Sequence, residues 1–493
     1  MSTRLSPLDA TFLELEQADE SAHMHIGAIM VFEPTPEGRP PTGEELAEHL
    51  STRLSALPRY SERLSDPHTG GLSWPRWEPD PAFDLLAHLT RAALPQPGGE
   101  RELAAWASEF FAKRLDRRRP LWEMAIIEGL EGGRWALAHK THHCLVDGVG
   151  SVDVAYVLLD TSPDGANPLL ATSAPEPKRE AAEMPGAHSP RLRAEALGLD
   201  TAVNLTRAGL HGMTHPLDTL GAARAAVELV VREELRGAPH TSLNEPIGSS
   251  RRFEVLRVPL EDLKTIKNAL GGTVNDAVLA ITASGLRALL EARGEELPPA
   301  GLRAMVPMNT RPIDEHFALG NRISSLFIDL PVAEPDLLGR HHETVERSRS
   351  LKDARQARGS TAMLDAAGLA PPVLHASLAR SLYATRLFNL TITNVPGAPQ
   401  TLYAFGAPMR EVHPLVPLAA EHAIGVAAVS YDGNVFFGIV ADPGRVPDLD
   451  VAVDAMRAAL DQLLSAARAT ARPGRSRAQP ARGAAHTAAR SRY

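Results

Sequence analysis

The sequence predicts an α/β protein made of two lobes, and three observations predict it. A strand-then-helix pattern fills residues 1–160, and a second such series begins at residue 251. Between them, residues 161–190 are rich in Pro, Ala, Ser and Glu and read as a flexible linker. With 493 residues the chain is long enough to bury two or three cores. Its 44% hydrophobic and 23% charged residues are ordinary for a soluble globular protein.

In chain order, Ser6, Pro7 and Asp9 form a helix start: a cap, a residue suited to the first turn, and an acid at the capping-box offset. The apolar run 25–33 reads as a strand, and 44–56 and 100–115 as helices. Residues 134–141 (RWALAHKT) alternate as a strand does, with Trp135, Leu137 and His139 on one side. After Gly150 the apolar spacing becomes helical. The predicted organisation is therefore a first lobe over 1–160, a linker with crossover helices over 161–250, and a second lobe over 251–470. The second lobe contains the strand FEVLRVPL, a helix over 276–293 opened by Thr273 and Asp276, and strands at 323–330 and 388–393. Two alternating runs flank YDGN (431–434), a hairpin signal, before a last helix at about 448–468. Residues 471–493 hold no large apolar residue apart from the terminal Tyr493 and are expected to be disordered.

Charge and composition exclude several functions. The net charge is −9, yet residues 471–493 carry six arginines and no acid, which leaves −15 for residues 1–470. A body that acidic argues against nucleic acid as partner. The single cysteine, Cys144, excludes an intramolecular disulfide framework and fits a reducing, cytoplasmic compartment. The N-terminus has no apolar signal segment, and Thr273–Leu290, the most apolar stretch, is interrupted by Asn275, Asp276, Ser284 and Arg287. The chain is expected to lie free or on a membrane surface, not across it. There is no G-x-S-x-G elbow, phosphate loop or dinucleotide fingerprint.

The chemistry concentrates in HHCLVDG (142–148), at a strand-to-helix junction where side chains can face a cleft. An imidazole, with an ordinary pKa of about 6.5, can take a proton from a hydroxyl near neutral pH. A carboxylate at Asp147 can hold local architecture by pairing with an arginine, and Gly148 can turn and leave room for substrate. A zinc site is the competing reading of His142, His143 and Asp147. Adjacent strand residues face opposite ways, however, and no HExxH or CxxC pair completes a ligand set, so no metal is expected. His341-His342-Glu343 reads as solvated helix surface, and Arg117-Arg118-Arg119 as a solvated basic corner. Cys144 reads as a small apolar residue turned from the cleft.

HHCLVDG resembles the motif of the CoA-dependent acyltransferase superfamily, which includes peptide-synthetase condensation domains. Further blocks in order narrow the likeness: LSPLDATFLELE (5–16), LDRRRPLWEM (115–124), TVNDAVLA (273–280), VPMNTRP (306–312), NLTITNVPGAP (389–399) and YDGNVFFGIVADPGRVPD (431–448). Together they resemble the bacterial wax ester synthase/acyl-CoA:diacylglycerol acyltransferase family, over nearly the whole chain to about residue 468. The resemblance implies two chloramphenicol-acetyltransferase-like α/β lobes with an active-site tunnel between them. It also implies transfer of a long-chain acyl group from acyl-CoA, a co-substrate, to diacylglycerol or a fatty alcohol, with no cofactor. The family's base maps onto His143, its motif Asp and Gly onto Asp147 and Gly148, and its Asn-Asp pair onto Asn275 and Asp276, which read equally as a helix cap. His142 is expected to support the turn, and Arg311 is the candidate partner of Asp147. A peripheral place on the inner membrane face or on lipid inclusions would suit such substrates. Two alternatives stay open: a stand-alone condensation-type acyltransferase using carrier-bound acyl groups, and a non-catalytic lipid-binding protein.

Overall fold

The computed structural model describes residues 3–65, 75–146, 154–167, 237–309, 323–358 and 387–471. The first half runs β1 (Thr3–Arg4), α1 (Pro7–Ala18), β2 (His25–Phe32), α2 (Gly43–Arg53), β3 (Glu62–Leu64), β4 (Arg76–Pro79), β5 (Leu89–Ala93), α3 (Glu100–Ala112), β6 (Trp122–Glu128) and β7 (Trp135–His142). The second half runs β8 (Arg252–Pro259), α4 (Leu260–Leu270), α5 (Val274–Ala292), β9 (Leu302–Asn309), β10 (Ile323–Leu330), α6 (Leu337–Arg358), β11 (Leu390–Pro396), β12 (Tyr403–Ala404), β13 (Ala407–Leu415), β14 (Ile424–Tyr431), β15 (Asn434–Ala441) and α7 (Leu449–Ala471). The crossover helices expected after residue 167 and the C-terminal tail lie outside the described residues, apart from 237–250.

Local signals start these elements where the sequence places them. The Ser6 hydroxyl accepts the Asp9 amide at 3.1 Å and opens α1. Thr42 and Glu45 close a capping box at α2, and Thr273 and Asp276 close one at α5. At the hairpin, Asp432 and Gly433 both take positive φ, 44° and 74°, the backbone that a two-residue turn between twisted strands requires.

Two six-stranded sheets carry the architecture, in the orders β12-β13-β2-β7-β6-β5 and β10-β9-β11-β14-β15-β8, with a small β1-β4-β3 sheet beside the first. The lobes are not consecutive in sequence. β13, placed by the sequence reading within the 251–470 lobe, pairs antiparallel with β2 of the first sheet, Pro414 opposite Ala28. This return covers what would otherwise be an open edge of β2. β13 also meets β15 of the second sheet so closely that a Cβ on Gly438 would lie 1.7 Å from the Pro414 carbonyl oxygen.

Burial follows from sidedness. Ile29, Val31, Ala136 and Ala138 turn to α3 and join a core continuous with the second lobe, while Met30, Phe32, Trp135 and Leu137 turn to the other face. α5 is apolar nearly all round and is buried from Asp276 to Leu286, as a central helix should be. Within it, Gly285 admits the close approach of α7, with a built Cβ only 2.7 Å from the Ala452 carbonyl oxygen. One expectation fails here. His341 is buried and its Nε2 lies 3.2 Å from the Gly271 carbonyl, whereas His342 is exposed as expected. Successive helical residues diverge by about 100°, so a charged run does not place every member in solvent. No helix among the described residues is long and apolar enough to cross a membrane.

Candidate active site

A cavity of about 470 Å³ lies between the two sheets. Its first wall is one face of the first sheet: Ile26, Ala28 and Met30 of β2, His139 of β7, and Val412 and Pro414 of β13. The register explains this face, since Ala28 stands directly opposite both Pro414 and His139. Leu279 and Asn275 of α5, Thr393 and Asn394 of β11, and Val429 of β14 close the other side. The wall is mainly apolar, with a few polar groups set into it.

His143 is one of those groups. β7 ends at His142, and the chain then turns, the Leu145 amide donating to the His142 carbonyl at 2.9 Å. The His143 amide donates to the Met24 carbonyl at 2.8 Å, which fixes the backbone, and its ring stacks on Phe12 of α1 at 4.0 Å. The two motif histidines are separated by this turn, not by strand alternation.

His142 takes a different environment. It is sealed, its Nε2 lies 2.6 Å from Glu16 Oε2, and its Nδ1 accepts the Cys144 amide at 3.1 Å. A ring that accepts at Nδ1 carries its proton on Nε2, so His142 donates to Glu16. Glu16 also accepts from Arg114 Nε at 2.9 Å. Burial alone would raise the Glu16 carboxyl, but the hydrogen bond from His142 and the surrounding charges outweigh it and hold it well below the usual carboxylate range. The nearby His25 and His23 are pushed down by burial, His23 to about 4.

Cys144 is wholly buried in the first-lobe core and does not border the cavity. Burial pushes its thiol well up, and the Asp9 carboxylate adds to the effect. The Asn-Asp pair divides its labour: Asn275 borders the cavity and accepts from Asn394 Nδ2 at 3.2 Å, while Asp276 is buried as the α5 cap. Asp147, Gly148 and Arg311 lie outside the described residues. Among the described residues, no group of three or more His, Cys, Asp or Glu side chains is placed to hold a metal ion.

Glu16, Asn394 and His139 were not singled out as site residues from the sequence. Glu16 and Asn394 stand inside two of the quoted blocks, the only signal that could have found them.

Residues 5–278 match the family model described as the wax ester synthase/diacylglycerol acyltransferase catalytic domain, and residues 319–464 match the WS/DGAT C-terminal domain. The chain belongs to the wax ester synthase/diacylglycerol acyltransferase family. It is 32% identical to a Mycobacterium tuberculosis protein named "Probable diacyglycerol O-acyltransferase tgs1", over 90% of this chain and 92% of that one. The solved wax ester synthase/diacylglycerol acyltransferase from Marinobacter aquaeolei VT8 superposes with a TM-score of 0.66 at 27% identity, covering 94% of this chain and all of that one. A starter condensation domain of rhizomide synthetase shares the fold, with a TM-score of 0.58 at 13% identity and 95% of each chain covered. The two-lobed acyltransferase fold expected from the motif blocks is therefore the fold observed, and the chain is an acyltransferase of this family.

Proposed function

We propose that His143 is the general base of acyl transfer from a long-chain acyl-CoA to the hydroxyl of a diacylglycerol or fatty alcohol. One observation carries this reading: of the two motif histidines, His143 borders the apolar inter-lobe cavity while His142 is sealed against Glu16. His143 takes the acceptor proton as the hydroxyl oxygen attacks the thioester carbonyl. A C–O bond forms, the oxyanion collapses, the C–S bond breaks, and the CoA thiolate takes up the proton from the imidazolium. The cavity volume falls within the roughly 300–1,000 Å³ of small-ligand sites, and its aliphatic walls suit acyl chains. Asp147 and Gly148 enter this proposal through the motif alone, as a turn-fixing carboxylate, with Arg311 as its partner, and a residue that leaves room for substrate. With lipid substrates, the reaction is placed in the cytoplasm, at the inner membrane face or the surface of lipid inclusions.

The test is incubation of the pure protein with oleoyl-CoA and dioleoylglycerol or hexadecanol. Released CoA in step with triacylglycerol or wax ester is expected; lipid binding without turnover would overturn the reading.

Transfer is direct in this proposal, although a thiol follows the base in sequence. A nucleophilic cysteine needs a thiolate aimed at the carbonyl, and Cys144 is buried in the core with its ionisation suppressed. Cys144→Ala is expected to keep most of the activity, and initial rates should give intersecting double-reciprocal lines. A mass increase of one acyl group on Cys144 after exposure to acyl-CoA alone would make the cysteine the nucleophile instead.

A further inference from the structure

We infer that His139, backed by Tyr60, is a polar seat in the cavity wall for a hydroxyl carried part-way along a lipid chain. The inference rests on the reading that this cavity holds the lipid next to His143. His139 is only 6% exposed and borders the cavity from β7, flanked across the sheet by Ala28 and Met124. Ala28, paired with it across the sheet, borders the same cavity. The ring's Nε2 lies 3.2 Å from the hydroxyl of Tyr60, which is itself completely buried and packed against Trp122.

The chemistry of the pair selects the ligand. Burial pushes the His139 imidazolium down to about 4 and the Tyr60 phenol up, so both are neutral near pH 7. A neutral imidazole has one N–H and one lone pair. Whichever of these faces Tyr60, the other is left at Nδ1, which has no hydrogen-bond partner among the described residues. An alkyl chain passing over it leaves that valence unmatched at a desolvated wall, which is costly. A hydroxyl matches either tautomer, because it both donates and accepts, whereas a carbonyl oxygen matches only one.

Position sets where the hydroxyl must be. His139 is three strand residues before the end of β7, about 10 Å at a rise of ~3.3 Å per residue. An oxygen bonded close to the reacting carbonyl, or a glycerol ester next to the reacting hydroxyl, would sit nearer His143. The seat therefore fits a mid-chain hydroxyl, on either the acyl donor or the acceptor alcohol.

Internal competition tests this with the full-length protein. In the donor arm, equal amounts of ricinoleoyl-CoA and oleoyl-CoA, identical but for one mid-chain hydroxyl, compete for hexadecanol. In the acceptor arm, ricinoleyl alcohol and oleyl alcohol compete for palmitoyl-CoA. The wild type is expected to favour the hydroxylated lipid about fivefold, the worth of one net hydrogen bond, in the arm that reports the chain lying on His139. His139→Phe and His139→Leu are expected to abolish that preference. Product ratios do not depend on how much of a variant is folded. A wild-type ratio of one in both arms, or a preference that survives both substitutions, overturns the inference. No ester from any pair with the wild type would instead overturn the acyl-transfer reading beneath it.

Discussion

Replacing His143 with alanine is expected to lower turnover by about 100-fold or more, the usual contribution of a positioned acid–base group, while the protein stays folded. The fold should survive because the backbone tie of this residue, its amide to the Met24 carbonyl, needs no side chain. The ring's stacking on Phe12 is lost, but it borders a cavity and its removal opens no sealed void. His142→Ala should behave in the opposite sense. It removes both the donor to Glu16 and the acceptor for the Cys144 amide, so stability falls first and activity follows. Steady-state rates and denaturant midpoints measured on both variants separate the roles. Equal loss of turnover in the two, with both fully folded, would show that the histidines are not divided into base and support.

Residues that act through local chemistry were the legible ones. Ser6, Thr273 and the Asp432-Gly433 turn carry their instructions within three or four positions, so their elements begin and end close to where expected. The double-His string could likewise be read as a site because strand, turn and helix signals surround it. What could not be read depends on contacts between distant segments. Nothing near Pro414 announces that its strand pairs with Ala28, nearly four hundred residues earlier, because a half-apolar strand has many acceptable partners. Asn275 and Asp276 are adjacent and equally polar, and only the packed helix end decides that one borders the cavity while the other caps α5. Glu16 shows the same limit: its helix was legible, but not that its last turns would lie against the end of β7.

Glu16→Ala is therefore the substitution expected to cost the most stability, about 1–3 kcal/mol, the cost of leaving a buried donor without its partner. The carboxylate is 1% exposed and lies between the His142 ring and the Arg114 guanidinium, so its loss leaves the sealed His142 donor facing a desolvated space, while Arg114, about a third exposed, can turn to solvent. The His142 ring also holds the Cys144 amide beside the His143 turn, so turnover should fall along with stability. Glu16→Gln keeps an oxygen for the His142 proton and should be the milder change. The pH dependence separates charge from shape. The folded carboxyl is held below its ordinary value, so the stability it supplies is complete above the unfolded glutamate pKa of about 4.3 and is lost as pH falls toward the depressed folded value. The gap between wild type and Glu16→Gln in unfolding free energy should accordingly be widest near neutral pH and narrow steadily in acid. A Glu16→Ala protein as stable as the wild type at neutral pH would show that the ionic contact contributes nothing, and that the His143 turn is held by its backbone bonds alone.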